Sequence, residues 1–415
     1  MYEKAKKYLV GGVNAPIRAF PLIDIKPLYI KKSIGPYITD TEDRTYISFI
    51  SGWGSSILGD AYPEIVNEIK EKINEGIYSG LSNPYEYFLA EIIIEAYPYH
   101  QMIRFVNSGT EANTIALRLA KAITGRSKIV KFDGGYHGSI DYLLVENGSD
   151  KFGNQIPSSS GVPKRLIKDT VSLPYNDTEV LEEFFNEYGK EIAAVIVEPI
   201  QTSNLLIKAN EDFLLKLREL TKKYGAFLIF DEVSTCFREG FYGLGKDIKP
   251  DITVLGKVIG GGFPVGAVVS SKENMEAMAP VGNMSHSGVF AGHPVSTFAG
   301  YKVLSLIKTI PDFYQNLKNK VDFIFNSINK DFIKINRTNG MFCIYFADSE
   351  IQSLDEFGRM DIMAFVDFYK ILMGEGIILS PHPVEPNYIS YSHSNNILEI
   401  FVEKVNRALS VIKNY

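Results

Sequence analysis

The chain has 415 residues, 45% hydrophobic and 22% charged, which allows about two or three packed units and excludes a disordered polymer. Its formal net charge is -6 and it has no dense Lys/Arg block, so neither nucleic acid nor an anionic membrane is expected as its main partner. The charged start Met1 to Tyr8 lacks the apolar run of a secretory signal, no stretch approaches about eighteen uninterrupted apolar residues, and Cys236 and Cys343 lack metal-ligand spacing; a soluble cytoplasmic protein with no metal is expected.

In chain order, the first fifty or so residues mix Gly, Pro and short β-like runs, Pro27 to Ile30 and Tyr46 to Ile50, and read as an arm with small strands. Arg18 follows Gly11 to Pro16 there, either as a solvated charge or as a bidentate clamp on a carboxylate. From Pro63, and again from Pro84 to Ala96, the pattern turns helical. The runs Lys128 to Phe132, Ala193 to Val197, Ala226 to Phe230 and Ile252 to Leu255 then alternate with helical segments such as Glu111 to Ile123 and Asp212 to Tyr224. That alternation predicts an α/β fold with a mostly parallel sheet flanked by helices, whose ligands bind beyond the carboxyl ends of the strands. Glu198 and Asp231 end two of the runs. The stretch between Asn147 and Lys168 reads as a long loop, a lid or a disordered connection. After about residue 300 the order helix, strands, helix predicts a small α+β unit. The expected division is 1–52, an arm; 53–299, a large α/β domain; and 300–415, a small domain.

The stretch Thr253 to Ala267 sets one lysine, Lys257, between two apolar runs and follows it with Gly260, Gly261 and Gly262. A half-buried lysine sheds its proton readily and forms Schiff bases with carbonyls, including that of pyridoxal phosphate; the plain alternative is a solvated lysine in a strand connection. Other stretches bear on the choice. Asn107 to Ala112 follows an apolar run and opens a helix, which suits a phosphate held by free N–H groups and the hydroxyls of Ser108 and Thr110, or an ordinary N-cap. Asp231 ends Phe227 to Phe230, where a carboxylate can pair with a pyridinium nitrogen and keep the ring an electron sink; a strand ending in Asp-Glu also resembles a magnesium site of phosphate-loop nucleotide hydrolases. That reading fails, since Val258 follows Gly256-Lys257 where Ser or Thr is required, and the dinucleotide pattern fails because Val265 stands where glycine is needed. Tyr136, in Gly134 to Gly138, either stacks on a flat cofactor or packs locally.

With Gly11 to Phe20, Asn107 to Ala112, Pro157 to Pro163, Leu173 to Asp177, Phe230 to Val233 and Leu255 to Ala267, the chain resembles the class III, fold-type I pyridoxal phosphate aminotransferases, and among them the glutamate-1-semialdehyde 2,1-aminomutases. The resemblance runs nearly end to end. It implies that Lys257 bonds the cofactor and moves protons and that Asp231 pairs with the pyridine nitrogen. Val233 would pack on the ring, Tyr136 would stack on its other face, and Ser108, Gly109 and Thr110 would hold the phosphate. Arg18 would clamp the substrate carboxylate, Trp53 would wall the pocket, and Glu385 would lie near the substrate amine. Residues 147–165 would form a lid over a site shared across a homodimer. The activity implied is an internal amino transfer, with pyridoxal phosphate cycling through pyridoxamine phosphate and glutamate-1-semialdehyde becoming 5-aminolevulinate.

Several positions depart from that pattern: Asp60, Ala15 for a serine, Ser203 or Asn204 for an asparagine after Glu198-Pro199, Val289 for a phosphate-binding threonine, and His293 before Pro294. They keep an intermolecular aminotransferase or a racemase as the alternative, and a pyridoxal phosphate-binding protein with little catalysis as a third reading.

Overall fold

The computed structural model describes residues 1–146 and 155–412, so residues 147–154 of the expected lid lie outside the described residues. Contacts group the chain into two compact units, Ile69–Thr309 and the pair Met1–Glu68 with Ile310–Tyr415.

The unit Ile69–Thr309 is built on a seven-stranded sheet in the spatial order Met102–Val106, Gly266–Ser270, Ile252–Gly256, Phe227–Asp231, Ile192–Val197, Lys128–Phe132, Thr170–Leu173. Gly266–Ser270 runs antiparallel to both neighbours, and the other pairs are parallel. Strand residues alternate between faces, and here both faces are covered. Ile129, Ile196, Ile229 and Val254 join a core with Ile115, Ala116 and Leu119 of the helix Gly109–Thr124. Val130, Val195, Leu228 and Phe230 point the other way and pack on Leu181, Phe185, Phe213 and Leu217. These runs therefore read as uninterrupted hydrophobic stretches rather than as an in-out alternation.

The other unit explains why an arm at the start of the chain is not a separate piece. Thr45–Ser48 pairs in parallel with Ile377–Ile378, Ile47 opposite Ile377, in a four-stranded sheet with Ile30–Ile34 and Tyr37–Asp40. Phe49, fully buried, packs tilted against Phe401 at 4.2 Å and edge-on against Phe342 at 5.8 Å between ring centroids. The contacts thus group residues 1–68 with 310–415, where the sequence reading sets boundaries at 52 and 299. A second sheet of Ile333–Arg337, Met341–Phe346 and Asn387–Tyr388 accompanies the helices Phe313–Ser327, Ile362–Gly374 and Asn395–Ile412. The strand expected over Pro27 to Ile30 begins pairing at Ile30, since Pro27 has no N–H to give. Among the described residues no helix is long and apolar enough to cross a membrane.

Phe213, fully buried, sits 5.1 Å from Phe132 and 5.6 Å from Tyr175 by ring centroids, in edge-on geometry. Phe213→Ala is expected to cost about 3–5 kcal/mol, the range for deleting a buried aromatic. Urea unfolding followed by tryptophan-independent circular dichroism measures it, and a loss below about 1 kcal/mol would contradict the packing described.

Candidate active site

Parallel pairing brings the chemistry to one edge. Phe230 stands opposite Val197 and Asp231 opposite Val254, so the next residues, Glu198, Asp231 and Gly256-Lys257, emerge side by side at the carboxyl ends of three neighbouring strands.

Asp231 is buried and its carboxylate is surrounded by donors. Asn113 Nδ2 donates to Oδ2 at 2.8 Å, His137 Nδ1 lies 2.8 Å from the same oxygen, and the Val233 N–H donates to Oδ1 at 3.1 Å. Hydrogen bonds to a charged group stabilise by roughly 1.5–3 kcal/mol each, so this carboxylate is held in one orientation. Asn113 also donates to His137 O at 3.1 Å, tying helix and loop together. Sequence reasoning missed Asn113 and His137 as partners, because they lie 118 and 94 residues from Asp231 and no local spacing reveals them. Glu232, next along the chain, turns away: Oε2 accepts from Tyr97 OH at 3.2 Å and from the Leu244 N–H at 3.1 Å, and burial pushes it up to about 7. The Asp-Glu pair is therefore split between two environments, and among the described residues no group of three or more His, Cys, Asp or Glu could hold a metal.

Glu198 is the second buried carboxylate of this edge. Its Oε2 accepts from the Tyr136 N–H at 2.9 Å, and its Oε1 from Thr202 N at 3.3 Å and Thr202 Oγ1 at 3.1 Å. Burial, and then the neighbouring charge of Asp231, raise its pKa despite these donors. Through its amide Tyr136 is fixed to Glu198, while its side chain stays largely open, 61% exposed.

The helix Gly109–Thr124 begins where Met102–Val106 ends. Ser108 caps it, accepting from Glu111 N at 3.1 Å, while Glu111 Oε2 accepts from Asn107 N at 2.8 Å and Asn107 Nδ2 at 3.0 Å. The first N–H groups of such a helix have no intrahelical acceptor and suit an anion. Glycine is required at two places here. A Cβ on Gly109 would lie 2.9 Å from both Val233 methyls, and one on Gly138, at φ +85°, would lie 2.2 Å from Thr110 Oγ1. Gly109 at the helix start thus lies against Val233, and Gly138 of the tyrosine loop lies against Thr110.

Lys257 follows an extended Gly256 and sits in the left-handed region at φ 47°, a strained setting for a residue with a side chain. Its Nζ donates to Ser234 Oγ at 2.6 Å. Ser234 is another residue that sequence reasoning missed.

Three expected substrate residues, Arg18, Trp53 and Glu385, belong to the other unit. Arg18 is exposed in the turn Pro16–Ala19. Trp53 lies in the turn Ser51–Gly54, with Ser51 at φ 44° and Trp53 at φ 55°, beside Tyr388. Glu385 closes a turn by donating its N–H to His382 O at 3.1 Å. Of the departing positions, His293 caps the helix Pro294–Thr309, accepting from Val295 N at Nδ1. Asn204 is buried and donates to Gln201 Oε1, whereas Ser203 is partly exposed. Val289 is 73% exposed.

A family model for aminotransferase class-III matches residues 23–403. The chain belongs to the class-III aminotransferase family. Within it, the chain is 38% identical to the glutamate-1-semialdehyde 2,1-aminomutase of Aquifex aeolicus, covering 99% of this chain and 98% of that protein. It is 40% identical to the protein of the same name from Thermosipho africanus, covering 99% of each. Among solved structures, an omega-transaminase from Sphaerobacter thermophilus superposes with a TM-score of 0.86 at 30% identity, covering 99% of this chain and 97% of that one. A glutamate-1-semialdehyde-aminomutase from Pseudomonas aeruginosa gives 0.87 at 22% identity, covering 99% and 93%, and shows the shared fold.

Class-III aminotransferases work with pyridoxal phosphate, and the residues present fit it. A carboxylate with three donors suits a ring nitrogen that carries a proton, an amine stands on the next strand end, and a capped helix start offers N–H groups to a phosphate.

Two outcomes follow from this geometry. Lys257→Ala, reconstituted with pyridoxal phosphate, is expected to lose the visible absorbance of a lysine-bound cofactor; a spectrum unchanged from wild type would remove Lys257 from its place. For Glu198, a folded-state pKa above the unfolded one means that the stability due to its proton is present below the ordinary carboxylate range and is lost as pH rises through the raised value. Glu198→Gln is therefore expected to flatten the fall in unfolding midpoint of the cofactor-free protein between about pH 5 and pH 8. Parallel profiles for the two proteins would contradict the buried, protonated Glu198.

Proposed function

We propose that this chain converts glutamate-1-semialdehyde to 5-aminolevulinate by moving the amino group within one molecule, as a cytoplasmic homodimer with pyridoxal phosphate bound. The observation that carries the reading is the Lys257 and Asp231 pair on adjacent strand ends of a chain similar end to end to proteins bearing that aminomutase name.

When bound, the cofactor supplies an electron sink for the pair of electrons left behind as a proton leaves the substrate carbon. The chain's own groups do the rest. Asp231, fixed by Asn113, His137 and the Val233 amide, holds the proton on the ring nitrogen. Lys257 Nζ would hold the cofactor and would take and return the substrate proton. Ser108, Gly109 and Thr110 would hold the phosphate, and Val233 and Tyr136 would pack against the ring. By the resemblance, Arg18 would clamp the substrate carboxylate, Trp53 would wall the pocket, and Glu385 would lie near the substrate amine.

A second reading, an intermolecular aminotransferase, has two supports: 30% identity to the Sphaerobacter omega-transaminase, and the departures at Ser203, Val289 and His293. The readings separate in one mixing experiment. The pyridoxamine form of the protein, given glutamate-1-semialdehyde and no keto acid, is expected to yield 5-aminolevulinate while the cofactor returns to its starting spectrum. No product under these conditions, together with turnover of an amino donor once 2-oxoglutarate or pyruvate is added, would replace the aminomutase by the aminotransferase.

A further inference from the structure

Ser234 lies three residues past Asp231, in the turn that carries the chain away from the sheet, and its Oγ accepts from Lys257 Nζ at 2.6 Å. Neither end of this hydrogen bond is loose. The Glu232 N–H donates to Val254 O at 2.9 Å and the Cys236 N–H to Glu232 O at 2.8 Å, while Cys236 Sγ lies 3.3 Å from Gly256 O. The turn bearing Ser234 is thereby fastened to the end of Ile252–Gly256, the strand that delivers Lys257. On the lysine side, the left-handed backbone at φ 47° fixes where the side chain starts.

The chemistry of the partner matters as much as its position. A carboxylate at this distance would stabilise the ammonium form and make the amine a poorer nucleophile. A hydroxyl can accept from an ammonium and can donate to a neutral amine. It can therefore aim the nitrogen in either charge state.

We propose that Ser234 is a positioning residue for Lys257, holding the amine for attack on the cofactor aldehyde while leaving its charge free to change. The inference rests on the reading that Lys257 bonds the cofactor. In that step the amine lone pair forms the C–N bond, and the carbonyl oxygen leaves as water with both amine hydrogens. Ser234 gains and loses no proton overall, so its contribution is to orientation.

The test uses apoprotein mixed with pyridoxal phosphate and quenched at timed intervals with borohydride, the lysine adduct being counted by mass spectrometry. Affinity for pyridoxamine phosphate, which has no aldehyde and forms no bond to lysine, is measured alongside. Loss of one neutral hydrogen bond predicts capture about five- to tenfold slower in Ser234→Ala, with Ser234→Thr within about twofold of wild type. Ser234→Asp is expected to be slower than Ser234→Ala, because it holds the ammonium. Pyridoxamine phosphate affinity is expected to stay at the wild-type value in all of them. Capture by Ser234→Ala at the wild-type rate would overturn the proposal, as would a loss of pyridoxamine phosphate affinity equal to the loss in capture rate, which marks a merely structural role. Absence of any adduct in wild type would overturn the Lys257 reading and this proposal together. The predicted capture pattern in a protein that forms no 5-aminolevulinate would support Ser234 and reject the substrate assignment alone.

Discussion

Three neighbouring parallel strands that bring their carboxyl ends to one edge are the constraint on which the site depends. Ile192–Val197, Phe227–Asp231 and Ile252–Gly256 are each buried on both faces, so nearly all their side chains are committed to two hydrophobic layers, with Thr253 paired to His100 as a polar exception. Polar residues are admitted where the strands stop. The registers Phe230 to Val197 and Asp231 to Val254 then set Glu198 beside Asp231 and place Lys257 three residues past the partner of Asp231 on the next strand. A slip of one residue in any of these pairings would turn every side chain of that strand to the opposite layer. The same hydrophobic force that forms the sheet thus sets the spacing of the catalytic groups.

Electrostatics divides the labour between the two carboxylates. Both are buried within one rim, where two like charges are costly. Burial and the charge of Asp231 raise Glu198, and Glu198 spends its oxygens on Tyr136 and Thr202. Asp231 takes the other set of donors, Asn113, His137 and Val233. One carboxyl therefore anchors the loop that carries the tyrosine, and the other is the one proposed to face the ring nitrogen. Lys257 is paired differently, with a hydroxyl that can follow its change of charge.

Much of this was legible in the sequence. The apolar runs, the helices between them and the polar residues at their ends are local features, and the motifs around Ser108, Tyr136, Asp231 and Lys257 are contiguous. What escaped notice is non-local or conformational. Asn113 and His137 meet Asp231 through the folding of a helix and a loop onto the strand end. Ser234 is an unremarkable serine until the turn after Asp231 is fastened to Gly256 through Cys236. The association of residues 1–68 with 310–415 depends on a short parallel pair, Ile47 with Ile377, and on Phe49 against Phe342 and Phe401, none of which periodicity can show. His293 reads as a departure in sequence and proves to be a helix cap in structure.

The measurement that bears most directly on this arrangement is the nitrogen-15 chemical shift of the ring nitrogen in protein reconstituted with labelled pyridoxal phosphate, compared between wild type and Asp231→Asn. A protonated ring nitrogen in wild type that becomes unprotonated in Asp231→Asn is the result expected if the strand-end carboxylate holds that proton. The same shift in both proteins would mean that Asp231 does not face the ring, and the proposed seating of the cofactor on this edge would fail.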